Sequence, residues 1–327
     1  MENTTNVKNA TDAVNTAPQM VVPYVGEDTS PFWLNVMSGK AGIRVPTGIT
    51  QLDKCLEGGL RAGLYILFAS PGIGKTTLCL QMMDSFVHAD RDVIFFSGEM
   101  ETEELLAKIY SRYSYLIGGD MPMMTATDIL KLNERPHAEK IAKALYEAYR
   151  PVASRTVIVP SDRIKTITSI PEIVGAHIAA TGNCPVVCID YLQMIASKFG
   201  ESTDKQNVDK FIIQLKEMCC KYRTPVLLIS SVNRASYDDK LTLASAKESG
   251  GIEFTADVVW GLDYRNSKMR SDYYQMHPDE PRKLKIQIMK SRMGIWGSVD
   301  LTMHAAYNYF EEDPVPGGDI TTLPSLY

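Results

Sequence analysis

Eight residues constrain the fold more than any others in the chain. Ala69-Ser70-Pro71-Gly72-Ile73-Gly74-Lys75-Thr76 separates a continuous apolar run, Tyr65–Phe68, from a segment of helical character, Thr76–His88. Strand, glycine-bearing turn and helix in that order match a phosphate-binding loop. The glycines let backbone N–H groups wrap phosphate oxygens, and the helix N-terminus adds its dipole. Ala69 stands where the pattern usually has its first glycine. In this motif Lys75 reaches the β- and γ-phosphates and the Thr76 hydroxyl coordinates Mg2+. Ser70, Pro71, Gly72, Ile73, Gly74, Lys75, Thr76 and Thr77 therefore form the expected nucleotide-binding segment.

The alternation of apolar runs and amphipathic segments continues downstream. Asp92–Phe96, Thr156–Val159, Val186–Ile189 and Val226–Ile229 read as buried strands. Helices are expected over Glu101–Leu116 and Pro136–Tyr149, and from a capping box at Ser169-Ile170-Pro171-Glu172 to Ala180. Val208, Phe211, Ile212, Leu215 and Met218 recur at helical spacing. Fully apolar strands separated by such helices imply an α/β fold with a mainly parallel sheet covered on both faces. Beyond Asp257 the pattern changes: Leu284, Ile286 and Ile288, then Val299 and Leu301, alternate with polar residues and predict added antiparallel strands near the C-terminus. The polar stretch between Arg265 and Arg282 reads as an exposed loop. The expected organisation is a flexible tail over 1–40, one domain over 41–313 and a C-terminal tail over 314–327. Within the first tail, Pro31–Met37 is an apolar island of one or two helical turns.

Composition narrows the function classes. With 22% charged residues, 45% hydrophobic residues and a net charge of −5, the 327-residue chain has the profile of a soluble globular protein. No stretch approaches the ~18 consecutive apolar residues that span a bilayer, and the N-terminus lacks a secretory signal. No membrane role is expected. The acidity excludes a surface coated in positive charge, so any contact with nucleic acid must be local. The six cysteines, Cys55, Cys79, Cys184, Cys188, Cys219 and Cys220, form no paired metal-binding spacing and read as reduced thiols of a cytoplasmic protein. Tyr110, Tyr113 and Tyr115 read as helix-face packing rather than base-stacking residues.

Two carboxylates extend the site. Asp190 ends the strand Val186–Ile189, and beside a phosphate loop such a residue is placed to hold Mg2+ through Thr76 or water. Glu99 follows the second strand. It is placed either to orient and activate an attacking water or to serve the dipole of the following helix, and the residues alone leave both roles open.

An ordered series of motifs adds a family. The phosphate loop is followed by Phe96-Ser97-Gly98-Glu99-Met100, Ile189-Asp190-Tyr191-Leu192-Gln193, Ser230-Ser231-Val232-Asn233-Arg234, Lys247-Glu248-Ser249-Gly250-Gly251-Ile252-Glu253 and Lys290-Ser291-Arg292. With Pro46–Asp53 before it, this series resembles the C-terminal motor domain of the DnaB-type replicative DNA helicases, a RecA-like fold, over about residues 41–312. The resemblance implies ATP and Mg2+ as cofactors, a homohexameric ring, single-stranded DNA as partner and a role in DNA replication. It implies Glu99 as catalytic base, Lys75 and Thr76 on nucleotide and Mg2+, and Asp190 as the second Mg2+-linked carboxylate. Lys290 and Arg292 resemble the pair that reaches the γ-phosphate of the adjacent subunit. Lys247, Glu248 and Gly250 resemble the loop that grips the DNA backbone. Ser231 stands where the family usually has a γ-phosphate-sensing Gln, and Lys247 stands where it usually has Arg. About 40 residues precede the motor, too few for the family's N-terminal collar. A loader or other replication proteins are candidate partners; primase binding and standard loading are not implied. Two alternatives stay open: a nucleotide switch that loads or regulates without processive unwinding, and a recombinase- or KaiC-like ATPase.

Overall fold

A computed structural model describes residues 30–39, 43–166, 168–192, 204–232, 241–245, 249–266, 271–277, 280–294 and 296–314. The chain divides into two compact units, Met1–Ile43 and Arg44–Tyr327. The first contains helix α1 (Ser30–Met37), whose Trp33, Leu34, Val36 and Met37 are exposed. Among the described residues, no helix is long and apolar enough to cross a membrane.

The second unit is organised around a nine-stranded sheet of order β3-β2-β4-β5-β1-β6-β7-β8-β9. Its strands are β1 (Gly63–Ala69), β2 (Val93–Ser97), β3 (Thr156–Val159), β4 (Val186–Asp190), β5 (Pro225–Ser231), β6 (Val258–Tyr264), β7 (Arg282–Ser291), β8 (Ser298–His304) and β9 (Tyr309–Glu312). The first six are mutually parallel, and β7–β9 form an antiparallel meander. The apolar runs are unbroken because the inner parallel strands bury both faces; β3, at the sheet edge, leaves Val157 exposed. Tyr65, Leu67, Phe95, Cys188 and Ile229 join one core; Leu64, Ile66, Phe68, Ile94, Val187 and Leu228 join the other. The first core is covered by helices that include α2 (Thr50–Cys55), α3 (Lys75–His88), α4 (Thr102–Ile117) and α6 (Ala138–Ala153). The second is covered by α7 (Ser169–Thr181) and α8 (Asp204–Tyr222), with α9 (Ser249–Thr255) packed beside α8. Each Val, Leu, Ile or Phe so buried stabilises the fold by about 1.5–3 kcal/mol.

Two elements were not anticipated and two expectations are corrected. Val258–Tyr264 is a parallel strand that the periodicity did not flag, because Gly261 interrupts it. A β-carbon at Gly261 would lie 2.6 Å from the Met289 methyl, so a larger residue there would displace that side chain. Between Thr102–Ile117 and Ala138–Ala153 a short helix, α5 (Ala126–Leu130), is opened by Thr125, whose hydroxyl accepts from the Asp128 N–H at 3.1 Å. The expected loop between Arg265 and Arg282 contains helix α10 (Ser271–Met276), anchored by buried Tyr274, which stacks on Tyr264 and whose hydroxyl accepts from the Lys283 N–H. Ser169 does not form a capping box. The helix starts one residue earlier than a Ser169 cap requires, so its Oγ instead accepts from the N–H groups of Lys165 and Thr166 and closes the preceding turn. The tyrosines pack as expected: Tyr110 and Tyr113 lie edge-on to Tyr149, and Tyr115 stacks with Tyr307.

Candidate functional site

The carboxyl ends of β2, β4, β5 and β1 lie side by side, the position where open α/β sheets bind ligands. Ser97 pairs with Asp190 and Ala69 with Ser231, so four strand tips form one ledge. The phosphate loop rises from the β1 tip, with Gly72 at φ 74° and Gly74 at φ 111°, values that glycine adopts without a β-carbon clash. Gly74 caps α3, which begins at Lys75.

Three charged side chains converge on the ledge. Lys75 Nζ donates to the Ala69 and Ser70 carbonyls at 2.9 Å each, folded back over its own loop. Burial pushes its ammonium down to about 8, against the opposing pull of Asp190 and Glu99. The Thr76 hydroxyl donates to Asp190 Oδ2 at 2.6 Å. Asp190 is 4% exposed, and burial pushes its carboxyl up to about 6; the Thr76 hydrogen bond and the Lys75 charge only partly offset this. Glu99 is exposed in the loop after β2. That loop is pinned: the Gly98 N–H donates to the Asp190 carbonyl and Ser97 Oγ to the Met100 carbonyl. The Glu99 charge therefore acts on both Lys75 and Asp190. The helix-dipole alternative is filled by other residues, since Glu104 accepts from the Glu101 N–H and Glu103 lies in the first turn of α4.

These residues fit a nucleoside triphosphate with a divalent cation. A buried carboxylate bonded to the loop's own Thr hydroxyl, with its charged form disfavoured, is a ready ligand for an added cation. Lys108 was missed at the sequence level. It projects from α4, its Nζ donates to Asn308 Oδ1 at 3.2 Å, and its charge reaches Asp190. Its partner is 200 residues away, so no local spacing reveals it.

Lys290 and Arg292 are not on this ledge. Val259 pairs with Lys290 and Tyr65 with Val258, while the Arg292 N–H donates to the Asp257 carbonyl beside Leu64. That is the amino end of β1, opposite the phosphate loop. Lys290 Nζ donates to the carbonyls of Glu253 and Ala256, and the Arg292 guanidinium to that of Phe254, so both cations sit on the C-terminal end of α9. Neither forms an ion pair among the described residues. Phe254 beside them is 77% exposed. Of the expected DNA loop, Lys247 and Glu248 lie outside the described residues, as do Gln193, Asn233 and Arg234. Gly250 lies in the first turn of α9. Gly251 next to it has a packing role, because a β-carbon there would collide with the Asp209 carboxylate of α8.

Comparison with known proteins identifies a family and a fold. The family model for the DnaB-like helicase C terminal domain matches residues 44–312. The chain is 27% identical over 275 residues to the "Replicative DNA helicase DnaC" of Bacillus subtilis (strain 168), covering 81% of this chain and 56% of that protein. It thus spans little more than half the length of the curated relatives it matches. Among solved structures, a DnaB-like replicative helicase, described with its interactions with primase, superimposes with a TM-score of 0.69 at 22% identity, over 89% of this chain and 67% of that one. The KaiC-like protein PH0186 from Pyrococcus horikoshii OT3 superimposes with a TM-score of 0.56 at 16% identity, over 83% and 99% of the two chains. The fold is that of a RecA-like ATPase domain.

Proposed function

The chain belongs to the family of DnaB-like helicase C-terminal domains, and from that premise we propose that it is the motor of a homohexameric, ATP-hydrolysing single-stranded DNA translocase or helicase in DNA replication. The observation that carries this reading is the division of charge across the sheet. Phosphate-binding groups occupy one end, and two cations without carboxylate partners among the described residues occupy the other. A ring brings the two ends of neighbouring subunits together.

In this reading the loop amides and Lys75 hold the triphosphate. Thr76 and Asp190 hold Mg2+, which supplies charge neutralisation on the phosphate oxygens when bound. Glu99, exposed and acting electrostatically on both Lys75 and Asp190, takes the proton of the attacking water. Lys290 and Arg292 stabilise transition-state charge on the next subunit's nucleotide, a contribution that reaches 10³–10⁵ in rate where an arginine finger acts. Lys247, Glu248 and Gly250 contact the DNA backbone in the channel. The exposed apolar side chains of α1 dock on the adjacent subunit, and deletion of residues 1–40 should then weaken the ring; an unchanged oligomer would remove that docking role. A cytoplasmic setting follows from this reading, with a loader or other replication proteins as further partners.

The test is ATP hydrolysis with and without single-stranded DNA. Stimulated turnover that disappears in Lys75→Ala is expected; absent or unstimulated turnover would overturn the reading. Ser231 favours a second reading. Its short side chain sits at the β5 tip beside Ala69 where the family has Gln, which weakens the route from γ-phosphate to DNA and suits a switch that loads or regulates. Robust duplex unwinding by the pure protein would eliminate that alternative.

A further inference from the structure

One rung of the antiparallel meander is seated on the phosphate loop. Arg282 of β7 pairs with Met303 of β8, which pairs with Phe310 of β9. The Arg282 guanidinium donates to the Gly72 carbonyl at 2.8 Å. A β-carbon on Gly74 would come within 2.9 Å of the Met303 thioether and 3.0 Å of the Phe310 ring. The Phe310 backbone is in turn held from the loop's own helix: Gln81 Nε2 donates to its carbonyl and Gln81 Oε1 accepts its N–H, each at 2.8 Å. The rung therefore touches the loop twice and its helix once.

The Gly72 carbonyl and the Ile73 N–H belong to one planar peptide and point in opposite directions. A cation on the carbonyl both fixes the direction of that N–H and polarises it as a donor. Arg282 thus sits behind an amide of the phosphate cradle. From Arg282, β7 runs as one strand to Ser291, tied to β8 over Arg282–Gln287 and to β6 over Leu284–Ser291 with a single bulge at Met289. Eight residues at ~3.4 Å each place Lys290 ~27 Å along the same strand. At that end Lys290 and Arg292 are clamped on the carbonyls of α9.

We propose that β7 is a coupling rod in which Arg282 reads the conformation of the chain's own phosphate loop and sets the placement of the Lys290–Arg292 arm offered to the next subunit. Arg282 is a positioning residue, acting through the Gly72 peptide at one end and the strand at the other. The inference rests on the trans role of Lys290 and Arg292 stated above.

Mixed rings test it. Glu99→Gln subunits bind nucleotide and offer an arm but lack the base; Arg292→Ala subunits keep the base but offer no complete arm. Hydrolysis in the mixture then occurs only where an Arg292→Ala loop faces a Glu99→Gln arm. Adding Arg282→Ala to the arm-giving subunit should lower kcat of the mixture about tenfold, the size of one lost charge-assisted hydrogen bond, with KM for ATP unchanged and partial rescue by Arg282→Lys. Adding it to the hydrolysing subunit should raise KM. If the parent mixture is inactive at every ratio, the trans reading falls and this inference with it. If the parent mixture is active and Arg282→Ala in the arm-giving subunit leaves kcat within about twofold, the inference alone is overturned.

Discussion

Two buried aspartates sit at opposite ends of the parallel sheet and are treated in opposite ways. Asp92, at the amino end of β2, accepts from Arg155 Nε at 2.8 Å, Asn183 Nδ2 at 3.0 Å and His177 Nε2 at 3.0 Å. Burial alone would raise its carboxyl, but these hydrogen bonds outweigh it and hold the group below the usual carboxylate range. The carboxylate of Asp190, at the carboxyl end of β4, accepts one hydrogen bond among the described residues, from Thr76, and burial pushes it up to about 6. Asp92 has its charge satisfied internally. Asp190 keeps a carboxylate whose charged form burial disfavours, and the fold gives up stability there to keep it.

The widest separation between the two ends should appear in catalysis. Asp190→Asn is expected to reduce ATP hydrolysis by ~10²–10³, the scale of one lost electrostatic stabiliser, while Asp92→Asn leaves turnover per folded molecule within about twofold. Steady-state kinetics on both variants checks this. In stability the order reverses. Asp190→Asn should stabilise the nucleotide-free protein at pH 8 by about 1–3 kcal/mol, since roughly two units of raised pKa correspond to about 3 kcal/mol before relaxation. Asp92→Asn should cost about 2 kcal/mol through its charged hydrogen bonds. Denaturant unfolding measures both.

Acid separates the two by pH window. The raised Asp190 carboxyl destabilises the fold fully above about 6, and that penalty vanishes as pH falls towards ~4, so the gain from Asp190→Asn should disappear over that interval. The depressed Asp92 carboxyl contributes stability above its unfolded value near ~3.9 and loses it as pH falls through its lower folded value, so the cost of Asp92→Asn should persist to about pH 5. Matching pH profiles for the two variants would break the comparison. The smallest effect belongs to Ser169→Ala, which opens the turn before α7 and should cost about 1 kcal/mol in unfolding experiments without changing kcat.

The phosphate loop and five of the six parallel strands were legible because four of those strands are buried on both faces and so continuously apolar, the edge strand β3 is a short β-branched run, and glycines at Gly72 and Gly74 have one local reading. The sixth, Val258–Tyr264, was hidden by Gly261, which packs against the Met289 side chain of a neighbouring strand. Asp190 was legible from its place after an apolar run, and for Glu99 the helix-dipole alternative is taken up by Glu103 and Glu104 at the start of α4. Arg282 and Lys108 were not legible at all. Their partners, Gly72 and Asn308, lie 210 and 200 residues away in sequence, and only the sheet order brings them together.

The most direct test of the open charge at Asp190 is thermal melting of the wild type and Asp190→Asn at pH 8, each with and without Mg-ADP. The account predicts that Asp190→Asn melts higher than the wild type without ligand and loses most of the Mg-ADP-induced rise. An Asp190→Asn protein that melts lower without ligand and keeps the full rise would contradict it.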